Sequence, residues 1–323
     1  MISASTWWRK PGNGPCERSK RLSREGLSRE NGLAIIAGIV MGVLVGAAIV
    51  VTRYVIGQSD PASLALLRYS FGSLGLVLPV LLIRRVTFAR RDLLPIALLG
   101  IGQFGILIAL LNYGLQFIGS GLGALLFATF PVMTMVLAAA LRLEALTLPK
   151  FAGVLLTVAG VGLAVSDDTV LPDFSQDNIF GVVAILASAL AGAVCSVFYR
   201  PYLQKYPPLQ VSLFAMFASV AFLIVPAAHE GFFATLPSFT PGGWAAVLFL
   251  GFCSSLGYYA WLFALKHATP TRVAMFLALG PITAAALGAI LLDEPLTMLF
   301  LGGLAAVITG LWVAHIPYGT GRA

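Results

Sequence analysis

Ten long apolar runs divide this chain, and they restrict its fold more than any other feature. Each run is close to the roughly 20 residues that a helix needs to cross the hydrocarbon core of a bilayer. With 59% hydrophobic and only 10% charged residues, the chain lacks the charge that covers a soluble protein of 323 residues. We therefore predict an all-α membrane protein with ten transmembrane helices. The windows are 33–52, 62–83, 93–111, 121–141, 150–166, 179–199, 209–228, 243–264, 273–292 and 296–316.

The N-terminal segment, residues 1–32, differs from the rest of the chain. It holds seven Lys and Arg residues, and its composition predicts a disordered basic cytoplasmic tail. The apolar run that follows has the length of a full span and ends at Arg53, not at a small-residue cleavage site. We therefore expect this run to stay in the membrane as the first helix.

The positive charges predict the orientation. If the tail is cytoplasmic and ten helices alternate, 18 of the 20 Lys and Arg residues fall inside, with Arg53 and Arg68 as exceptions. Acidic residues such as Asp173 and Glu230 then fall in outer loops. This positive-inside bias predicts a multi-pass protein of the cell (inner or plasma) membrane with both termini in the cytoplasm. It also explains the pI near 9.5, so no nucleic-acid partner is expected.

A set of residues recurs at a fixed offset of 150. The first copies are Pro131, Glu144, Gly153 and Gly160, and the second are Pro281, Glu294, Gly303 and Gly310. Five helices separate the copies, and because five is odd the second copy enters the membrane from the opposite face. Spacing and charge together predict two inverted five-helix repeats, 33–166 and 179–316, with a solute cavity at their junction.

At these residues the chain resembles the EamA family of the drug/metabolite transporter superfamily. One copy of the motif runs from Ala128-Thr-Phe-Pro131 through Glu144-Ala-Leu-Thr147, and the other from Ala278-Leu-Gly-Pro281 through Glu294-Pro-Leu-Thr297. The resemblance covers about 33–316. It implies a permease, an exporter or facilitator of amino acids, other small metabolites or drug-like solutes.

Further positions carry the resemblance, and one departs from it. Arg68 resembles the arginine common in the family's second helix, and Arg53 and Arg200 resemble basic residues that close helices 1 and 6. The family often places a Trp before a small residue of helix 1 or 6. Here Val45-Gly46 and Ala191-Gly192 stand instead, so no contact from that aromatic is expected.

Arg68 is the only charge predicted well inside a span, and such a charge is a functional hypothesis by default. We expect it either to contact an anion or carboxylate or to bond helix-end carbonyls in a structural role. Pro131 and Pro281 fall within equivalent helices, where each removes a backbone donor. They mark either the binding site or two packing kinks.

Other polar and aromatic side chains are candidates for the wall of the cavity. The alternatives are anchoring at the membrane interface and hydrogen bonds between helices. The candidates are Gln103, Asn112, Tyr113, Cys195, Tyr199, Tyr258, Tyr259 and Trp261.

Small residues recur every fourth position in two helices, which predicts close packing there, as a static contact or a sliding surface. Helix 1 carries Gly38, Gly42 and Gly46, and helix 6 carries Ala184, Ser188, Gly192 and Ser196.

Other functions have weaker support. Gly100-Ile-Gly102-Gln-Phe-Gly105 matches a dinucleotide-binding pattern, but it lies in an apolar span and predicts packing. The three cysteines have no metal-like spacing, and we expect no cofactor, no metal and no enzyme activity. No Asp, Glu or His is predicted deep in a helix, which favours facilitated diffusion or exchange over proton coupling. The alternative is a non-transporting receptor or a channel-like protein. Association into a homodimer is left open.

Overall fold

The computed structural model describes residues 17–82, 86–143, 147–167, 175–235, 237–267, 273 and 276–314, and the regular structure in them is helical. Eight helices, α1 to α8, are long and apolar enough to cross a membrane, and two further described helices, α9 and α10, are shorter and apolar. The chain is thus an all-α, multi-pass membrane protein. The bounds are α1 Glu17–Val55, α2 Pro61–Leu81, α3 Arg90–Phe117, α4 Ser120–Ala140, α5 Leu148–Val165, α6 Gln176–Lys205, α7 Pro208–His229, α8 Pro241–His267, α9 Phe276–Leu291 and α10 Met298–Val313.

Helix α1 extends well before its apolar part. It begins at Glu17, so residues 17–32 of the tail, for which the composition predicts disorder, are helical. Most residues of this segment are Arg, Lys, Glu or Leu, which have a high helix propensity. The chain also has no proline between 17 and 55.

Two helices are interrupted at equivalent places. In α4, Ala128 and Thr129 separate the segments Ser120–Phe127 and Phe130–Ala140. In α9, a 3₁₀ turn over Phe276–Ala278 precedes the regular part. Pro131 and Pro281 both lie in the first turn after the interruption, where a missing N–H is harmless. Each proline therefore ends the preceding turn rather than bending one continuous helix.

The repeated glycines bring α5 and α10 into backbone contact. Gly153 lies against Gly310, and Gly160 lies against Gly303, so the two helices run antiparallel. A Cβ atom added to Gly153 would stand 2.4 Å from the carbonyl oxygen of Gly310. No other residue type fits such an approach without moving a helix.

The remaining helices also pack in matching pairs. Helix α1 packs against α8 and α9, and α6, five helices later, packs against α3 and α4. The predicted stripe of α1 glycines makes one of these contacts, since Gly42 faces the carbonyl of Phe276 and Gly46 faces that of Gly280. In α6, Gly192 faces the ring of Phe130.

Two carboxylates hold the first turns of α2 and α4. Glu230, after α7, accepts hydrogen bonds from the backbone amides of Ala62 (2.9 Å) and Ser63 (2.7 Å). Glu294, after α9, accepts from the amide (2.6 Å) and the hydroxyl (2.8 Å) of Ser120. Each carboxylate satisfies free N–H groups at the positive end of a helix. The predicted counterpart of Glu294, Glu144, lies outside the described residues.

We expect Glu294→Gln to destabilise the folded protein by about 1 kcal/mol, because it removes the charge from a helix-capping carboxylate. The measurement is the apparent melting temperature in detergent. Asp60→Asn is the matched control, since Asp60 precedes α2, is exposed and makes no capping hydrogen bond. Equal melting temperatures for the two variants would contradict the capping role.

Candidate functional site

A cavity lies between α1, α2, α3, α4 and α8, beside the start of α9. Its unfilled volume, with its open mouth included, is about 680 Å³. Its walls are mainly aliphatic and aromatic, with a few polar groups. The lining residues include Met41, Val45, Ile49, Arg68, Tyr69, Gln103, Leu107, Leu111, Phe127, Phe130, Cys253, Ser254, Tyr258, Trp261 and Leu277.

Arg68 brings a positive charge to this cavity. The side chain is buried at 8% exposure, and its Nε donates a 2.6 Å hydrogen bond to the hydroxyl of Ser254 on α8. Its Cζ lies 5.7 Å from the ring centroid of Tyr69. Among the described residues, the terminal guanidinium nitrogens make no hydrogen bond and no carboxylate pairs with them. A buried guanidinium with free donors is suited to bind an anion.

The hydrogen bonds to helix-end carbonyls that were considered for Arg68 are made by another arginine. Arg53, at the end of α1, donates from Nη1 to the carbonyls of Leu115 (2.7 Å) and Gln116 (3.0 Å) at the C-terminus of α3. A cation at this end of a helix is favoured by the helix dipole. In the described part of the chain, Arg68 has no such helix-end contact.

Aromatic rings in tilted and edge-to-face contacts lie on one side of the cavity. Phe104 packs between Tyr69 and Tyr258, with ring-centroid distances of 5.0 and 3.8 Å. Phe130 meets Trp261 edge to face at 5.6 Å. Such walls contact flat apolar groups over a large area at little entropic cost.

Among the described residues, three buried polar atoms of the cavity lining lack a well-formed hydrogen bond. They are Oε1 of Gln103, the hydroxyl of Tyr258, which lies near that of Tyr199, and Nε1 of Trp261. Buried polar atoms are nearly always paired, but these have almost no accessible surface, so they can bond a solute only after neighbouring side chains move. Gln103 lies in a π-helical stretch of α3, Ile101–Ile106, a local irregularity that is frequent at functional sites.

The structure brings together four of the predicted site residues, Arg68, Gln103, Tyr258 and Trp261. Tyr199 is fully buried on α6 beside Tyr258, and its hydroxyl lacks a well-formed hydrogen bond. Pro131 adjoins the lining residue Phe130, and Pro281 lies in the first turn of the regular part of α9.

The other candidates lie away from the cavity wall. Asn112 is buried and donates from Nδ2 to the carbonyl of Pro61 (2.9 Å), a contact between α3 and α2. Tyr113 is 39% exposed and packs on Phe117. Tyr259 packs on Phe263, one turn further along α8. Cys195 is buried on α6.

Sequence reasoning missed several residues that line the cavity. Phe127 and Phe130 flank the interruption of α4, and Tyr69 and Ser254 adjoin Arg68. The proline of α4 lies close to the two phenylalanines in the sequence, so it could have identified them as candidate lining residues. No sequence signal distinguished Ser254 from the serine that follows it.

The dinucleotide-like pattern is helix packing, as predicted. Gly100 lies against the backbone of Ala215, and Gly105 lies against the ring of Phe222. Within the described residues, no three His, Cys, Asp or Glu side chains are grouped as metal ligands.

A second cavity, with an unfilled volume of about 1370 Å³, lies at the ends of α3, α4 and α6. Its charged side chains, Asp92 and Lys205, are paired with each other. Asp92 accepts a short hydrogen bond from Lys205 and one of 2.6 Å from the hydroxyl of Tyr206, which accepts from the amide of Ala89 (3.1 Å). These contacts join the start of α3 to the end of α6, and they leave this cavity a weaker candidate for binding.

A bundle of apolar helices that encloses an amphipathic cavity defines the class, a membrane transporter of small metabolites. The receptor or channel-like alternative is not favoured, because the family and its named relatives are transporters. The chain belongs to the EamA-like transporter family, whose model matches residues 32–166 and again residues 179–315.

Three curated relatives illustrate the family. The chain is 26% identical to an uncharacterized transporter of Archaeoglobus fulgidus, over 83% of this chain and 93% of that protein. It is 29% identical to a probable terminal-alkyne amino-acid exporter of Streptantibioticus cattleyicolor, over 70% and 74%. It is 27% identical to a probable amino-acid metabolite efflux pump of Salmonella typhimurium, over 89% and 95%. These transporters and exporters agree with a protein that is not an enzyme.

A solved crystal structure shares the fold. It superposes with a TM-score of 0.66 at 20% sequence identity, over 87% of this chain and 96% of that one.

Proposed function

We propose that the protein is a secondary transporter that exports small amphipathic metabolites by alternating access. The observation that carries the proposal is the buried guanidinium of Arg68, which faces an apolar cavity with free donors. A charge so placed in a membrane protein has a function by default. The names of two relatives, an exporter and an efflux pump, support export as the direction.

Alternating access requires two units that move against each other around one site. We assign these units to the five-helix repeats 33–166 and 179–316, inverted with respect to each other across ten spans. The antiparallel contact of α5 and α10 at equivalent glycines supports inversion. The cavity draws on helices of both repeats, α1 to α4 from the first and α8 and α9 from the second.

The topology has a direct test. We expect reporters at Arg91 and at Asp173, which lies outside the described residues, to be on opposite sides of the cell membrane, with Arg91 and both termini in the cytoplasm. Single cysteines at the two positions in a cysteine-free chain, labelled in intact cells with an impermeant maleimide, measure this. Labelling of both from one side would contradict the inverted arrangement.

Transport itself is tested with a panel of solutes. Overexpression should protect cells from toxic members of the panel, and the purified protein in liposomes should exchange the same solutes in counterflow. Saturable and solute-selective flux supports a carrier. Flux without saturation supports a channel. If no solute of the panel is transported, the proposal is overturned.

A further inference from the structure

We infer that the cavity selects solutes by charge, and that its substrates are small monoanions with a flat apolar body, bound at Arg68 as oriented by Ser254. This inference rests on the proposed function and names the substrate class of the same site. It would place free amino acids, which are zwitterions, among the weaker substrates.

The charge balance of the cavity favours an anion. Arg68 is the only ionised side chain among the described residues that line it, and none of them is Asp, Glu or His. A buried charge without a partner is unfavourable, and an arriving anion removes that penalty. An arriving cation is repelled by the same charge. The empty site therefore favours a carboxylate over an ammonium group.

The guanidinium of Arg68 is held in an orientation that suits a carboxylate. The 2.6 Å bond from Nε to Ser254 restrains the orientation of the guanidinium. Arg68 lines the cavity, and its two terminal nitrogens make no hydrogen bond to the described residues. Two parallel N–H donors match the two oxygens of a carboxylate. Close packing of α2 on α8 holds this pair, since a Cβ added to Gly72 would stand 3.2 Å from that of Ser254.

Helix α8 carries lining residues over a length that suits an elongated solute. Ser254, Tyr258 and Trp261 follow at helical spacing and all three line the cavity. Ser254 and Trp261 are separated by about 10 Å along the helix axis. The aromatic side chains of Tyr258 and Trp261 line the cavity beyond Ser254. The site thus matches a molecule with a carboxylate at one end and a flat apolar body at the other.

A zwitterion fits this arrangement poorly. In an α-amino acid the ammonium group is attached next to the carboxylate, so it would lie beside the guanidinium. No carboxylate among the described lining residues is there to receive it. Removing or acylating the amino group leaves a monoanion and eliminates this conflict.

The experiment uses four probes of similar size that differ in charge. Purified full-length protein in liposomes is assayed for saturable uptake of 3-phenylpropionate, phenylalanine, 2-phenylethylamine and 3-phenylpropanol. We expect 3-phenylpropionate to reach half-saturation at a concentration at least about tenfold lower than the zwitterion or the amine, the loss that follows from one unfavourable charge contact.

Ser254→Ala tests the positioning residue, and Ser255→Ala is its control. The hydroxyl of Ser255 bonds the carbonyl of Phe252 in its own helix (2.9 Å), and Ser255 does not line the cavity. We expect Ser254→Ala to reduce the preference for 3-phenylpropionate over uncharged 3-phenylpropanol several-fold, and Ser254→Thr and Ser255→Ala to retain it. General damage to the fold lowers both fluxes together and leaves this ratio unchanged.

The outcomes separate the two proposals. If phenylalanine or 2-phenylethylamine is carried as well as 3-phenylpropionate, the charge selection is wrong and the protein is still a transporter. If the preference for the anion survives in Ser254→Ala, the role of Ser254 is wrong. If neither these probes nor the broader solute panel show saturable flux, the proposed function fails and the inference fails with it.

Discussion

Replacing Arg68 with glutamine is expected to lower solute transport about tenfold or more, because a lost hydrogen bond to a charged group is worth about 1.5–3 kcal/mol. The amount of protein in the membrane should not fall. Glutamine spans part of the same space and removes a buried charge that has no counterion in the described structure, a change that is often neutral or stabilising. Counterflow of 3-phenylpropionate, normalised to the amount of protein, measures the effect.

Two further variants make the Arg68 result specific. Arg68→Lys keeps the charge but not the planar pair of donors, so intermediate transport is expected. Arg91→Gln removes an arginine whose side chain is 81% exposed, and it should leave transport unchanged. Wild-type kinetics in a well-expressed Arg68→Gln variant would remove Arg68 from the site.

Replacing Gly153 with alanine is expected to destabilise the protein by about 1–3 kcal/mol, since the added Cβ overpacks a tight contact. The Cβ would stand 2.4 Å from the backbone oxygen of Gly310 and 2.6 Å from the Cβ of Ala314, so α5 and α10 must separate. We expect a lower melting temperature in detergent and a loss of transport, because this pair joins the two proposed repeats.

Gly162→Ala in the same helix is the matched control. Gly162 is exposed, and an added Cβ there meets no atom within 4 Å. The same substitution should therefore be neutral or slightly stabilising, since alanine has the higher helix propensity. Equal melting temperatures for Gly153→Ala and Gly162→Ala would show that the α5–α10 contact does not stabilise the fold.

The helices could be predicted because their signal is local. In a bilayer every backbone polar group must be paired within the segment, so the length of an apolar run predicts a helix. The window 121–141 corresponds to α4 at Ser120–Ala140, and 209–228 to α7 at Pro208–His229. Residues 17–32 were harder, because their polar composition predicts disorder although α1 begins at Glu17.

The interruptions were only partly predictable. Pro131 and Pro281 indicated that α4 and α9 are irregular, but the break in α4 comes before its proline, at Ala128 and Thr129. Phe127 and Phe130, at the ends of the two segments, consequently line the cavity. A proline in the sequence shows where a regular helix is interrupted. The direction in which the neighbouring side chains point depends instead on the helices packed around them.

The sequence by itself determined that this chain is a membrane protein, which apolar segments are helical, and that a family motif occurs twice, because apolar length and the recurring residues are readable along the chain. Only the tertiary structure decided which polar side chains share the cavity. Successive residues of a helix differ by about 100° in direction, so Tyr258 lines the cavity while Tyr259 packs on Phe263. The rotation of each helix about its axis makes this choice, and it is set by contacts between distant residues, such as Gly46 with Gly280 and Arg68 with Ser254.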